Sequence, residues 1–386
     1  MKIRVERDVL ADAVQWVARS LPNRPSVPIL AGLRMEASGD QVVLSSFDYE
    51  TSAKVTLPAQ VTEEGLVLVS GRLLADIARS LPAKPVDLSA DASSMELTCG
   101  SARFTLQLLP VGEYPDLPTM PEETGSIAPE VFAQAVSQVV VAAGRDELLP
   151  VFTGVRVEID GDTLSLLATD RYRMALKELP WRPTSAQAEG AALVPARVLS
   201  ESSKSMTSGD AVTLSLAAAE SGDGLIGFAG EGTNGVRETT TRLLDGEFPK
   251  VRHLMSVQPS VTVRANTVEV IDAVKRVALV AERNTSLRMI IADEQITLEA
   301  ATGDQARAVE AVSATVVDET GEGLVMSAAG FNPHYLLDAL NALDTPYVNF
   351  AFTAPGKPCL LTPLTDIDGE PLEDYKHVIM LMRLPQ

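Results

Sequence analysis

Residues 32–50 read GLRMEASGDQVVLSSFDYE and residues 154–172 read GVRVEIDGDTLSLLATDRY, so the chain states one pattern twice, 122 residues apart. The shift lays Pro28 on Pro150, Gly32 on Gly154, Arg34 on Arg156, Glu36 on Glu158, Gly39 on Gly161, Asp40 on Asp162, Leu44 on Leu166 and Asp48 on Asp170. Chance supplies about one or two such matches in a window of that length. The duplication extends outward in both directions. Upstream, LADAVQWVARS from Leu10 falls on FAQAVSQVVVAAG from Phe132, and downstream GEYP at Gly112 returns as GEFP at Gly246. A fainter third copy follows: VIDAVKRVALV from Val270 repeats the Ala-Val-x-x-Val of Ala13, Val14 and Val17, and SLRMIIADEQITLEA from Ser286 repeats Leu33 to Met35. These copies predict three domains, over residues 1–122, 127–253 and 257–386.

Each copy has the same local grammar. Val9, Leu10, Ala13, Val14, Val17 and Leu21 recur at helical spacing, as do Leu73, Leu74, Ile77 and Leu81 in GRLLADIARSLP. Alternating runs such as QVVLSSF, DTLSLLAT and QITLEAA lie between Gly-Asp and Asn-Gly signals that suit antiparallel hairpins. The expected fold class is α+β, with two helices per repeat on antiparallel sheet. The Pro-bearing stretches YPDLPTMPEETG and GEFPKVRHLMSVQP read as linkers.

Composition narrows the function classes. The 386-residue chain is 46% hydrophobic and 22% charged, enough to bury several cores. No apolar run approaches a membrane span and MKIRVERDVL has no signal-peptide core, so a cytoplasmic protein without membrane contact is expected. Cys99 and Cys359 stand too far apart in sequence to suggest a disulfide framework or metal knuckle. His253, His334 and His377 show no metal-ligand spacing, and no Ser, Cys or Asp constellation repeats a nucleophile-base pattern. GEGTNG at Gly230 matches a dinucleotide fingerprint but follows and precedes strand patterns, so it reads as a hairpin turn; DIDGE at Asp366 reads as a turn rather than a calcium loop. Asp48 and Asp170 invite a carboxylate hydrolase reading, yet a carboxylate that caps each repeat's own backbone explains the duplication better. The chain is read as no enzyme, with no cofactor and no metal.

A net charge of -20 argues against polyanion binding until the basic residues are placed. Arg72 and Arg79 are seven residues apart, on nearly one helix face. A shift of 125 puts Arg197 on Arg72 and Lys204 on Arg79, so an acidic chain keeps a basic pair in two copies. In the third copy the equivalent positions hold His334 and Asn341, while Lys275 and Arg276 appear on that copy's first helix.

From MKIRVERDVL through RPSVPILAGL, LATDRYRMAL and LLDGEFPKVR to FNPHYLLDALNAL and the ending VIMLMRL, the order and spacing of segments resemble the bacterial sliding clamps, the beta subunits of DNA polymerase III. The resemblance covers the whole chain. It implies the DNA-clamp fold, a crescent of three domains, two of which close head to tail as a homodimer into a ring around double-stranded DNA, recognised without regard to sequence. It implies DNA contacts at Arg24, Arg72, Arg79, Arg197, Lys204 and Lys275. A pocket for partner peptides of the Gln-Leu-x-Leu-Phe type is implied at Thr169, Arg171, Tyr172, Arg173, Met174, Pro249, Leu254 and Tyr335, and along Val378, Ile379, Met380, Leu381, Met382, Arg383 and Leu384. Its partners would be the replicative DNA polymerase, the clamp loader and other clamp-binding-motif proteins. Alternation in VIMLMRL sets Val378, Met380, Met382 and Leu384 on one strand face. The dimer seam is implied at Arg103, Phe104, Leu279 and Val280. At Pro150-Val151 the chain departs from the aromatic pair of many relatives, at Leu381 from their proline, and Pro385-Gln386 extends the usual end. The alternative reading is a three-domain peptide-binding scaffold that does not encircle DNA.

Overall fold

The computed structural model describes residues 1–217, 224–282, 285–292, 294–321 and 326–384; Pro385 and Gln386 lie outside them. Among these, six α-helices are α1 (Arg7–Ala18), α2 (Gly71–Ser80), α3 (Pro129–Val140), α4 (Ala196–Ser205), α5 (Thr267–Val277) and α6 (Pro333–Leu343), two for each repeat. The chain divides into two compact units. One comprises Met1–Ala133, Asp160–Asp162 and Trp181–Leu243; the other comprises Gln134–Ile159, Thr163–Pro180 and Leu244–Gln386.

In the first unit an antiparallel sheet runs in the order Arg182–Pro183, Gly125–Ile127, Ser208–Ala217, Leu225–Gly232, Gly235–Arg242, Thr51–Pro58, Gln41–Phe47, Gly32–Ser38, Gly65–Ser70. The sheet crosses the repeat boundary where Gly235–Arg242 pairs with Thr51–Pro58, Val236 opposite Thr56 and Thr241 opposite Thr51. Hydroxyl pairs rivet that seam, Ser52 to Thr240 at 2.6 Å and Thr51 to Thr241 at 3.1 Å. A second sheet runs Gln60–Glu63, Lys2–Val5, Val86–Ala90, Ser94–Cys99, Ala102–Gln107. Helices α1 and α2 share one buried cluster with both sheets: Leu10, Val14 and Val17 from α1 and Leu74 and Ile77 from α2 meet Met35, Leu44, Leu88 and Leu97. Leu73, expected in that apolar stripe, is 51% exposed, because Leu74 one position on already fills the inward face.

The second unit repeats the device. Its sheet runs Gly154–Asp160, Thr163–Thr169, Arg173–Pro180, Tyr375–Ile379, Cys359–Leu364, Tyr347–Phe352, Val261–Asn266, Ala306–Asp318, Gln295–Thr302, Leu287–Ala292, Ala328–Phe331. Here the middle repeat joins the third, with Arg173 opposite Ile379 and Lys177 opposite Tyr375. The middle repeat thus gives strands to two sheets, which is why compactness divides the chain in two where the repeat divides it in three. Val270, Ala273, Val274 and Val277 of α5 and Leu336, Ala339, Leu340 and Leu343 of α6 form the buried helix faces.

The duplicated aspartates hold the same turn in each copy. Asp48 Oδ1 accepts from Glu50 N at 3.0 Å and Thr51 N at 2.7 Å; Asp170 Oδ1 accepts from Tyr172 N and Arg173 N, both at 3.0 Å. The residue after each aspartate is left-handed, Tyr49 at φ 76° and Arg171 at φ 80°. A carboxylate that replaces the missing backbone partners makes so tight a turn tolerable for a side chain other than glycine. GEGTNG closes a two-residue hairpin with Gly232 opposite Gly235, and Gly235 sits at φ 122°. Asp366 likewise caps its own turn, accepting from Gly369 N on its carbonyl and from Asp368 N on its side chain. Cys99 and Cys359 are both buried free thiols.

Candidate functional site: a cleft, a basic loop and an edge strand

The turn after Asp170 builds a cleft in the second unit. Thr169, 1% exposed, donates its hydroxyl to Arg173 O at 2.8 Å and accepts from Arg171 N at 3.1 Å, which fixes the left-handed corner. The Arg171 guanidinium then lies 5.6 Å above the Phe152 ring and 5.8 Å from the Tyr172 ring. Arg173 turns the other way. Its Nε donates to Asp170 at 3.0 Å, its Nη1 to Asp338 of α6 at 2.5 Å, and its guanidinium sits 4.4 Å above the Tyr335 ring. Tyr172 and Tyr335 stack at 6.4 Å. Two carboxylates and an aromatic face thus hold a cation that is 8% exposed, the arrangement burial of an arginine demands. Together with Arg145, Leu149 and His334 these side chains enclose about 530 Å³.

The residues expected in the pocket therefore separate. Arg171, Tyr172, Arg173 and Tyr335 line this cleft, whereas Pro249 lies in a separate one of about 410 Å³ with Leu167 and Arg252, and Leu254 is half-buried in the short turn Arg252–Met255. Met174, Val378 and Ile379 are fully buried beneath, because the strand Tyr375–Ile379 is covered on both faces. The strand ends at Ile379, so Val378, Met380, Met382 and Leu384 do not share one strand face. Beyond it Met380 N donates to Tyr172 O and Met382 N to Gly330 O, both at 2.8 Å, with Met380, Leu381, Met382 and Leu384 half-buried and Arg383 exposed. The backbone bonds of Met380 and Met382 on either side of Leu381 fix the tail. Phe152, Arg145, Leu149 and Asp338 went unnoticed in the sequence. Phe152 had a signal, since it follows directly on Pro150-Val151 at the start of the matched repeat segment.

Under the cleft, the Tyr375 hydroxyl donates to Gln138 O at 3.0 Å and lies 2.9 Å from His377 Nδ1, so Nδ1 carries the imidazole proton. Burial pulls the His377 pKa down to about 3, with the Arg173 charge acting in the same direction. An unfolded imidazole takes up its proton near 6.5, so between 6.5 and about 3 the unfolded chain binds more protons and stability falls as the pH falls. At pH 5 the loss from this one residue is roughly 2 kcal/mol. The variant His377→Gln keeps a donor for Tyr375 without the titration. Chemical unfolding at each pH should show its stability curve flatter than the parent's by that amount between pH 7 and 5; parallel curves would contradict the assignment.

In the first unit the expected DNA contacts Arg24, Arg72, Arg79, Arg197 and Lys204 are all exposed, and so is Lys275 in the second. Arg72 Nη2 donates to Leu21 O and Pro22 O at 3.2 Å and to Asn23 Oδ1 at 2.7 Å, while Arg197 Nη2 reaches Arg19 O at 3.4 Å. Helices α2 and α4 thus each send their first basic residue to the segment over residues 19–23 that follows α1 and leads into Arg24. The acceptors are carbonyls of Arg19, Leu21 and Pro22, in the segment that follows α1. Arg79 is partly offset by Asp76 at 2.7 Å. Arg276 is committed to Glu310 at 2.5 Å, but Lys275 has no ion pair among the described residues.

The seam candidates occupy two surfaces. Arg103 and Phe104 lie on Ala102–Gln107, the last strand of its sheet; Arg103 is exposed, 3.7 Å from Glu96, and Phe104 is half-buried against the core. Leu279, 84% exposed, and Val280, half-buried, form the turn that ends α5, where the Thr302 hydroxyl donates to Val280 O. No helix among the described residues is long and apolar enough to cross a membrane, and no group of three metal-ligating side chains occurs among them.

Three family models cover nearly all of the chain: the N-terminal domain of the DNA polymerase III beta subunit matches residues 1–118, the central domain 126–250 and the C-terminal domain 255–383. The chain is 52% identical to the beta sliding clamp of Streptomyces coelicolor over the full length of both, and 40% identical to the beta sliding clamp homolog GriR of Streptomyces muensis over 99% of both. Among solved structures, the DNA polymerase sliding clamp of Bacillus subtilis superposes with a TM-score of 0.87 at 24% identity, covering all of both chains. The sliding clamp of Pseudomonas aeruginosa bound to griselimycin gives the same score, identity and coverage.

Proposed function

The chain belongs to the DNA polymerase III beta-subunit family, the beta sliding clamps, and from that premise we propose how its surfaces divide the work of a processivity clamp in DNA replication. The chain carries three domains, over residues 1–122, 127–253 and 257–386; two chains close head to tail in the cytoplasm and hold duplex DNA between them. No catalysis is required. Topology keeps the DNA in place, so phosphate contacts need only be few and weak, and a strongly basic surface would impede sliding. The observation that carries this reading is the gathering of Arg72 and Arg197 beside Arg24 in a chain of net charge -20. Arg79 and Lys204 belong to the same unit and contact DNA with them, and Lys275 is a further contact in the second unit.

The cleft around Arg171, Tyr172, Arg173 and Tyr335, with Pro249, Leu254 and the tail Met380–Leu384 at its margin, takes the peptide motifs of the replicative polymerase, the clamp loader and other clamp-binding proteins. Thr169, Met174, Val378 and Ile379 hold its walls from beneath. Half-buried thioethers at Met380 and Met382 suit a groove that accepts many peptides.

Replacing Arg72, Arg79, Arg197 and Lys204 together with Ala should leave the oligomeric state unchanged and weaken binding to an open duplex. Because counterion release scales with the phosphates neutralised, the slope of log K against log salt should fall by about 3. Fluorescence anisotropy across a salt series measures it, and an unmoved slope would remove these helices from the DNA face.

A further inference from the structure

The repeat that relates the middle and first copies also relates two clefts. Shifts of 122 and 137 carry Asp170, Arg173, His334, Tyr335 and Asp338 of the partner cleft onto Asp48, Thr51, Arg197, Val198 and Glu201. Those five residues line a separate cleft of about 150 Å³ within the first unit, against the end of α1. The copy is not a duplicate in chemistry. Val198 stands where Tyr335 walls the partner cleft and Thr51 where Arg173 does, so the aromatic and cationic walls are gone. Trp16, Leu21 and Val198 make an apolar floor in their place, with Trp16 only 6% exposed. Arg19 and Arg197 stand at the mouth, where Arg19 meets Glu201 at 3.3 Å and Asp48 is committed to its own turn. Arg72, bound to Asn23 on the same rim, brings the balance to three guanidiniums against two carboxylates. Ser202 also lines the cleft: it is 1% exposed, and its hydroxyl has no hydrogen-bond partner among the described residues. A buried hydroxyl left without a partner costs stability unless something else supplies one.

We propose that this cleft is a second ligand site, for a small amphipathic anion: one apolar group the size of an aromatic ring, carried on a carboxylate or phosphate. The ring fills the floor, a space of about 150 Å³ being of benzene size. The anion meets Arg19 and Arg197, and an acceptor atom of the ligand takes the Ser202 hydroxyl. The site is independent of the partner cleft, whose residues lie in the other unit.

The two tryptophans make the test self-controlled, since Trp16 lines the cleft and Trp181 is committed elsewhere, its indole N–H donating to Gly161 O at 3.0 Å. In the full chain labelled with 5-fluorotryptophan, phenylacetate and phenyl phosphate should shift the Trp16 fluorine resonance and leave that of Trp181 still. A probe of this size binds with a Kd of about 1 mM. Whichever probe binds more tightly identifies the anion's source as carboxylate or phosphate. Arg19→Ala should weaken either by about tenfold, and Val198→Tyr, which restores the aromatic of the sister cleft, should abolish the shift with Trp181 unperturbed. If benzyl alcohol binds as well as the anions, the charge plays no part; if inorganic phosphate alone reproduces the shift, the apolar floor plays none. Either result, or silence of Trp16 to all probes, overturns the proposal.

Discussion

Phe104→Asp combined with Leu279→Asp will leave folded monomers of 41.1 kDa, whereas the parent chain, by the function proposed above, should run at twice that mass. Among the described residues Ala102–Gln107 pairs with a neighbouring strand on one side only, so its other edge can pair with a second chain. Phe104 sits in the middle of that edge strand, and Leu279 exposes 84% of its surface. We propose that these two patches meet across the seam, with Arg103 and Val280 at its margin. In a head-to-tail pair both seams are equivalent, so each substitution acts twice. An unpaired carboxylate forced into an apolar interface costs several kcal/mol, and the dimer constant should weaken by on the order of a thousandfold or more. Phe104 also packs against its own core, so the single variant Leu279→Asp supplies the control: it should weaken the dimer, with a melting curve equal to the parent's at concentrations where both are dissociated. Sedimentation velocity at micromolar and nanomolar concentration reads the outcome, and an unchanged mass at both would remove the seam assignment.

Arg173→Ala will abolish binding of Gln-Leu-x-Leu-Phe peptides and lower the melting temperature as well. The guanidinium ties Asp170 to Asp338 and covers the Tyr335 ring at 4.4 Å, while the Asp170 side chain is 14% exposed. Removing the cation leaves that carboxylate buried without its partner, a loss of about 3 kcal/mol in stability. Tyr335 is freed at the same time, so the wall that peptide side chains would press against is lost. The conservative variant Asp338→Asn separates the two effects. Its carboxamide still accepts from Arg173 and holds the ring, so peptide affinity should stay within about threefold of the parent, measured by anisotropy alongside the melting curve. Full peptide affinity in a folded Arg173→Ala chain would place the site elsewhere.

Much of the molecule was legible as local chemistry. The runs QVVLSSF, DTLSLLAT and QITLEAA appear as the strands Gln41–Phe47, Thr163–Thr169 and Gln295–Thr302, because a period of two is a property of neighbouring residues. Asp48 and Asp170 were expected to serve their own backbones and do so, since an aspartate two residues before an amide needs no distant partner. The GEGTNG hairpin and the helix pair of each repeat belong to the same class.

What lay beyond the sequence depended on which strands meet. The pairing of Gly235–Arg242 with Thr51–Pro58, and of Arg173–Pro180 with Tyr375–Ile379, divides the middle repeat between two compact units, and only long-range register decides such pairings. That same pairing buries Val378 and Ile379 on both faces, which alternation alone could not show. It brings Asp338 and Tyr335 to Arg173 across more than 160 residues of chain, so the cleft exists only once the sheet has closed. Arg72 and Arg197 could be matched as repeats in the sequence, but their convergence on the end of α1 follows from packing. Periodicity and turn chemistry act between residues near in sequence and were therefore written there; clefts, seams and charge clusters act through space, and tertiary structure alone sets those distances.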